Sequence, residues 1–335
     1  MTKIQNPILS ICIPTYNRSK YLVSCLQSIL KQVKDYMHIE ILVSDNQSTD
    51  DTNQQIQQFI NHPKFKYFLQ TENLGATKNY FKLVSDYATG DFCWIIGDDD
   101  FLVQGALDVV YNLITQYKDT TDYFYASVKG LNVEDYNKHT NFDTTLLSDR
   151  VTKENIVFSE VDKFEELISP RYSIIFLGEL MASIFRRELW ISHEINIEGE
   201  NLASLQTTYP HAVVLASKFM GSKAIYIKTP LIRDLSGARE WWDKLGYILV
   251  VQVKNLLDYY KDLGVSKKIL KECYKSYLQM SFKYFLKFLF QRKSQYRNKV
   301  SISNYSIFLL NNPTVSVSFF SKLIAGRLKF LLQKK

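Results

Sequence analysis

At 335 residues and 46% hydrophobic content the chain has room for one large domain or two modest ones with a real core, which excludes a disordered or fibrous class. Its four cysteines, Cys12, Cys25, Cys93 and Cys273, show neither paired nor metal-ligand spacing, so a disulfide framework is excluded and a reducing compartment, the cytoplasm, fits. Residues 265–335 carry fifteen Lys or Arg against the single acid Glu272, so a region of +14 follows one of −7 in a chain of net charge +7.

The first apolar run, Ile8 to Pro14, reads as a strand rather than a signal peptide, because Pro14 interrupts it and polar Tyr16-Asn17-Arg18 follow. Leu22, Cys25, Leu26 and Ile29 then share one helical face. Ile39 to Val43 is a second strand, ending in a polar loop that starts Ser44-Asp45-Asn46, and Ile56, Phe59 and Ile60 mark a second amphipathic helix. Phe65 to Leu69 is a third strand, leading through Asn73-Leu74-Gly75 into a helix with Tyr80, Phe81, Val84 and Tyr87. Phe92 to Ile96 is a fourth strand, with a helix from about Val103 to Tyr117 behind it. Strands alternating with helices predict an α/β fold, a mostly parallel sheet flanked by helices, with ligands at the carboxyl ends of the strands. Asp122 to Val128 and Ala224 to Ile227 read as further strands, and Asn132 to Val151 as a long polar loop. No stretch reaches the roughly 18 apolar residues of a spanning helix.

The fourth strand runs into Gly97-Asp98-Asp99-Asp100. Adjacent carboxylates repel and no core benefits from them, so a cation must compensate them, and a divalent metal carrying phosphate oxygens is the natural candidate. The competing reading is a solvated acidic turn capping the next helix. Neither a Gly-x-Gly-x-x-Gly nor a P-loop sequence is present, so the usual dinucleotide and P-loop sites are excluded.

Four motifs in order over about a hundred residues resemble the family 2 glycosyltransferases of the GT-A fold: Ile-Pro-Thr-Tyr-Asn-Arg at 13–18, Val-Ser-Asp-Asn-x-Ser-Thr-Asp at 43–50, Asn-Leu-Gly-Ala at 73–76 and Gly-Asp-Asp-Asp at 97–100. Trp94 to Asp100 and Arg239-Glu-Trp-Trp-Asp are similar to the abequosyltransferase-like branch, which builds bacterial surface polysaccharides. The resemblance implies a GT-A domain over 1–235, with a nucleotide-sugar half at 1–130 and an acceptor half at 131–235, followed by a basic helical region at 236–335. It implies an inverting, Mg²⁺- or Mn²⁺-dependent transfer of a hexosyl or deoxyhexosyl group from a nucleotide-sugar to a saccharide or lipid-linked saccharide. Pro14, Thr15, Tyr16 and Arg18 would floor the nucleotide pocket, with Asn46 and Asp99 beside it, and Asp45 would accept hydrogen bonds from the base. Asp98 and Asp100 would be the Asp-x-Asp pair, near the ribose and on the metal. Lys78 would add positive charge near the phosphates, or is a solvated lysine of a helix's first turn.

On the acceptor side the resemblance makes Glu179 an acceptor contact, against the plain reading of a surface carboxylate. Where most members carry the acidic base, this chain has Thr207-Thr-Tyr-Pro-His211. His211 can accept a proton at neutral pH, Pro210 suits the first helical position, and Glu200, Glu198 and Asp234 are rival bases. Arg239, Trp241 and Trp242 would close over the diphosphate and sugar. At the C-terminus, Tyr277 to Phe290 and Phe319 to Leu331 are basic and amphipathic, which suits the inner face of an anionic plasma membrane and predicts a peripheral protein. Two alternatives stay open: a nucleic-acid-binding protein using the basic end, and a sugar nucleotidyltransferase or pyrophosphorylase of related fold.

Overall fold

Leu9–Thr15 (β1) and Ile39–Asp45 (β2) are buried along their length, only Pro14 being half-exposed, and lie parallel from Leu9 opposite Ile39 to Thr15 opposite Asp45. Strands covered on both faces need no polar alternation, and apart from the hydrogen-bonded pair Ser10 and Glu40 their sequences are apolar until the last residues. The computed structural model describes residues 7–138, 149–193, 196–198, 202–236, 244–290 and 299–321. These divide into two units, one drawn from Met1–Leu167, Leu177–Glu198 and Pro210–Arg239, the other from Ile168–Phe176, Gly199–Tyr209 and Glu240–Lys335.

In the first unit Phe65–Leu69 (β3) joins β2, and Phe92–Ile95 (β4) joins β1, both in parallel. The crossovers are α1 (Ser19–Leu30), which buries Leu22, Cys25, Leu26 and Ile29 as its spacing requires, α2 (Thr52–Ile56) and α3 (Ala76–Lys82). After β4 come β5 (Asp100–Leu102), α4 (Ala106–Tyr117), β6 (Tyr123–Asn132) and α5 (Val133–Asn137). The remaining elements of this unit are β7 (Phe158–Val161), β8 (Ser183–Arg186), α6 (Arg187–Ile191), α8 (Pro210–Phe219) and β9 (Ala224–Ser236). Among the described residues the strand order is β3-β2-β1-β4-β8-β6-β9-β5, with β7 also on β9. Pairing is parallel through β3-β2-β1-β4 and at β6-β9, and antiparallel at β4-β8, β8-β6, β9-β5 and β9-β7. The second half of the sheet is therefore mixed. β8 enters from the edge where β4 and β6 end, and so runs back between them.

The helix expected over Ile56, Phe59 and Ile60 ends at Ile56, and Ile60 is 42% exposed. The stretch Asn53-Gln54-Gln55 offers no apolar face to prolong it, and Pro63 bars continuation. The polar stretch after Asn132 begins with α5, whose first turn is capped by the Asn132 side chain accepting from Glu134 N–H at 2.8 Å; residues 139–148 lie outside the described ones.

The second unit is helical: α7 (Leu205–Thr208), α9 (Leu245–Tyr247) leading through a wider turn into α10 (Val253–Asp262), α11 (Lys267–Phe290) and α12 (Ile302–Asn311). Its core includes Leu256, Leu257, Tyr260, Cys273, Tyr277 and Leu278. Phe285 of α11 stacks on Tyr305 of α12 at 3.9 Å between ring centroids, and the Tyr305 and Ser281 hydroxyls are 2.9 Å apart. Of the apolar side of Tyr277 to Phe290, expected to face a lipid surface, Tyr277, Leu278, Phe285 and Phe288 are thus buried within this unit. The amphipathic segment Phe319 to Leu331 lies almost wholly outside the described residues. Among the described residues no helix is long and apolar enough to cross a membrane.

Candidate active site

The carboxyl ends of β1, β2 and β4 share one edge of the sheet, and their loops are stitched together by side chains. Asn17, in the left-handed region at φ 53°, accepts the Thr49 N–H at 2.7 Å on its side-chain oxygen and donates its own N–H to Ser48 Oγ at 2.8 Å. Asp45 is fully buried, and its two oxygens accept from Ser48 N–H at 2.7 Å and the Tyr67 hydroxyl at 2.5 Å. Burial and the adjacent carboxylate push the Tyr67 hydroxyl's pKa well up. Asp45, expected to accept hydrogen bonds from a nucleotide base, ties its own loop to β3 in this way. Asn46 does the same: its amide donates to Asn73 Oδ1 at 2.7 Å and its oxygen accepts the Leu74 N–H at 2.8 Å, fixing the Asn73-Leu74-Gly75 turn. Lys78 is exposed in the first turn of α3, Tyr16 is exposed on the rim, and Pro14 is half-buried beside Thr15.

The acidic turn sits at the centre of this edge. Asp98 accepts the Thr15 hydroxyl at 2.8 Å and pairs with Arg18 Nε at 3.1 Å, while Arg18 Nη2 donates to Asp99 at 2.7 Å. One guanidinium thus compensates two of the three carboxylates, so Arg18 supplies the positive charge inferred from sequence. Asp100, 1% exposed, folds back so that its Oδ2 accepts the Gly97 N–H at 3.0 Å, and its backbone lies opposite Asp234 of β9. A Cβ on Gly97 would stand 2.7 Å from that oxygen, so any larger residue there would have to displace the Asp100 carboxylate. Beneath it Cys25 of α1 donates to the Gly97 carbonyl at 3.6 Å, its thiol pKa pushed well up by burial and by Asp100, Asp98 and Asp99.

These donors fit a hard divalent cation in chemistry. Asp98 and Asp100 offer carboxylate oxygens two residues apart, and among the described residues no set of three or more His, Cys, Asp or Glu forms a protein-only cage. That pattern suits Mg²⁺ or Mn²⁺, which take one or two carboxylates and complete their shell with phosphate and water.

The antiparallel register of Trp94 with Ile184 brings the chain before β8 to the same edge, and the Trp94 indole N–H fastens it by donating to the Met181 carbonyl at 2.7 Å. Glu179 is half-buried there, accepting the Tyr125 hydroxyl of β6 at 2.6 Å. His211 follows Pro210, which opens α8 as its fixed φ favours. The imidazole is 5% exposed, and its pKa is lowered to about 4 by burial, partly offset by backbone hydrogen bonds with Gly178 and Leu177. The candidate base is thus a buried residue bonded to the loop next to Glu179. Glu200, Arg239, Trp241 and Trp242 lie outside the described residues.

The Tyr67–Asp45, Arg18–Asp98 and Tyr125–Glu179 contacts carry no signal in sequence, since each joins residues from separate strands or loops. Comparison with known proteins agrees with this geometry. The chain is 33% identical to the abequosyltransferase RfbV of Salmonella typhimurium over 67% of its own length and 66% of that protein. It is 35% identical to a GalNAc(5)-diNAcBac-PP-undecaprenol beta-1,3-glucosyltransferase of Campylobacter jejuni over 31% of its length and 33% of that protein. The matches thus span just under two thirds of the first relative and a third of the second. The crystal structure of S. aureus TarS 1-349 in complex with UDP-GlcNAc superposes with a TM-score of 0.60 at 18% identity, covering 86% of this chain and 78% of that one, and so shares the fold. The family model described as glycosyl transferase family 2 matches residues 10–189, from β1 through the acidic turn and Glu179 to α6, and the chain belongs to that family.

Proposed function

We propose that the protein is a metal-dependent, inverting glycosyltransferase that moves a hexosyl or deoxyhexosyl group from a nucleotide-sugar to a saccharide or lipid-linked saccharide during bacterial surface polysaccharide synthesis. The observation that carries this reading is the acidic turn at the carboxyl edge, with Asp98 and Asp99 held by Arg18 and Thr15. The RfbV and Campylobacter relatives support the reaction class and the kind of acceptor by their names.

Asp98 and Asp100 would hold Mg²⁺ or Mn²⁺, which when bound would supply Lewis-acid stabilisation of the departing nucleoside diphosphate. Arg18 keeps the carboxylates compensated without donor and offers its guanidinium to the diphosphate when donor enters. Asp45 and Asn46 hold the two loops that border the nucleotide, so the pocket is organised before binding. The acceptor hydroxyl must lose a proton as it attacks, and a base within reach of it takes that proton. Glu179 is that base, oriented by Tyr125, and His211 positions its loop through Leu177 and Gly178. The enzyme is peripheral on an anionic membrane, drawn by the basic residues of 265–335.

The test is a panel of UDP-, GDP-, dTDP- and CDP-sugars scored for hydrolysis with Mg²⁺, with Mn²⁺ and with excess EDTA. One donor should be turned over only with metal. No turnover of any donor, or turnover indifferent to EDTA, contradicts the proposal.

A further inference from the structure

The second unit contains a cavity of about 970 Å³ between α10, the start of α11 and α12. Lys254, Lys261, Lys267 and Lys271 line it against a single acid, Asp258, which is taken by Lys254 at 2.5 Å. Lys261, Lys267 and Lys271 are exposed. The first turn of α11 forms part of the wall, where Ser266 Oγ accepts the Ile269 N–H at 3.3 Å, so the positive end of a 24-residue helix adds to the lysines. Part of the lining is apolar, with Val265, Leu270, Phe308 and Val315 all buried, beside Asn304, Asn311 and Asn312. Ile307, which also lines it, is 51% exposed, and Leu310, one turn further along α12 and outside the lining, is 77% exposed. From the cavity, Lys275, Lys283 and Lys287 continue along the exposed side of α11, whose one acid, Glu272, is engaged by Arg171 and Ser169.

Cations around a partly apolar hollow, with bare aliphatic residues on the adjoining helix, match a phosphate carried on a lipid better than a free one. We propose that this cavity binds the phosphate headgroup of an anionic membrane lipid, with Lys261, Lys267, Lys271 and the α11 N-terminus on the phosphate and Ile307 and Leu310 in the acyl region. This rests on the reading that the enzyme works at a membrane, and it gives that reading an address distinct from residues 322–335.

The experiment is flotation of the full chain with phosphatidylcholine vesicles, alone or doped with phosphatidylglycerol. Wild type should float only with doped vesicles. Lys261→Ala/Lys267→Ala/Lys271→Ala should bind them about a hundredfold more weakly, from roughly fivefold per lysine near an anionic surface. The control Lys31→Ala/Lys118→Ala/Lys228→Ala, remote in sequence, should bind as wild type. Ile307→Ser/Leu310→Ser should also weaken binding, and donor hydrolysis in solution should be unchanged in every variant. Equal loss in the control and cavity variants, or none in the cavity variant while wild type floats, overturns the cavity assignment and leaves membrane binding standing. Failure of wild type to float at low salt overturns both, with the donor assay still judging the transferase reading. Competition by glycerol phosphate as strong as by vesicles makes the ligand a soluble anion and overturns the lipid assignment. Lysine-dependent binding of a single-stranded oligonucleotide in preference to doped vesicles also overturns it.

Discussion

At the scale of single residues, the proposal that Glu179 is the base and His211 only positions its loop is tested by two substitutions. Glu179→Gln keeps the shape and the Tyr125 contact but removes the basic oxygen, so kcat should fall roughly 10² to 10⁴-fold with donor KM little changed. His211→Asn should lower kcat by no more than about tenfold and leave the acid limb of the kcat–pH profile where it was. The opposite ranking in steady-state kinetics would return the base to His211. Burial also makes His211 a stability group. Its pKa is about 4 folded and near 6.5 unfolded, so as pH falls below 6.5 the unfolded chain takes up the proton first. The stability present above pH 6.5 is lost towards pH 4, by on the order of 3 kcal/mol, and urea denaturation of His211→Asn should show a flatter dependence across that window. An unaltered slope would mean that the imidazole takes up its proton at the same pH folded and unfolded. Asp98 to Asp100 were legible in sequence because three carboxylates after an apolar strand serve no packing purpose. The burial of Asp45 and His211 was not, since a polar residue's exposure depends on elements distant in the chain.

At the scale of elements, short turns are held by groups whose role appears only once the strands are paired. Glu40 in β2 is 3% exposed and accepts from Ser10 Oγ at 2.7 Å and Thr89 N–H at 2.7 Å, while Lys66 of β3 pairs with its other oxygen at 2.9 Å. Burial pushes its pKa up, but Lys66, Ser10 and Thr89 more than offset this and hold it below the ordinary value. Glu40→Ala strands those donors, and should cost on the order of 3 kcal/mol, read as a lower urea midpoint at unchanged m. A loss under about 0.5 kcal/mol would show that water replaces the carboxylate without penalty. Gly97→Ala acts on the site instead: the added methyl displaces the Asp100 carboxylate, so turnover should fall more than tenfold with Tm nearly kept. Wild-type turnover in that variant would mean that the carboxylate's folded-back position is immaterial. The parallel half of the sheet could be read from its continuous apolar runs. The short α2 and the antiparallel insertion of β8 could not, because pairing partners leave no local periodicity.

At the scale of the whole molecule, charge and chemistry are separated along the chain. The acidic turn and most of the family match lie in the first unit, while α11 carries lysines outward over a buried aromatic side. Amphipathicity assigned the apolar side of Tyr277 to Phe290 to a membrane surface, whereas Phe285 on that side stacks on Tyr305 of α12, because the period of a helix shows that a face is buried but not by what. The central claim is that Asp100 serves nucleotide-sugar turnover rather than the fold. The measurement is nucleoside diphosphate release by wild type and Asp100→Asn, at saturating Mn²⁺ and in EDTA, alongside their Tm values without metal. The account predicts that Asn, which still offers an oxygen to the Gly97 N–H, leaves Tm within a few degrees and lowers release by at least about 10²-fold, to the level of wild type in EDTA. Full release by Asp100→Asn with metal would contradict it.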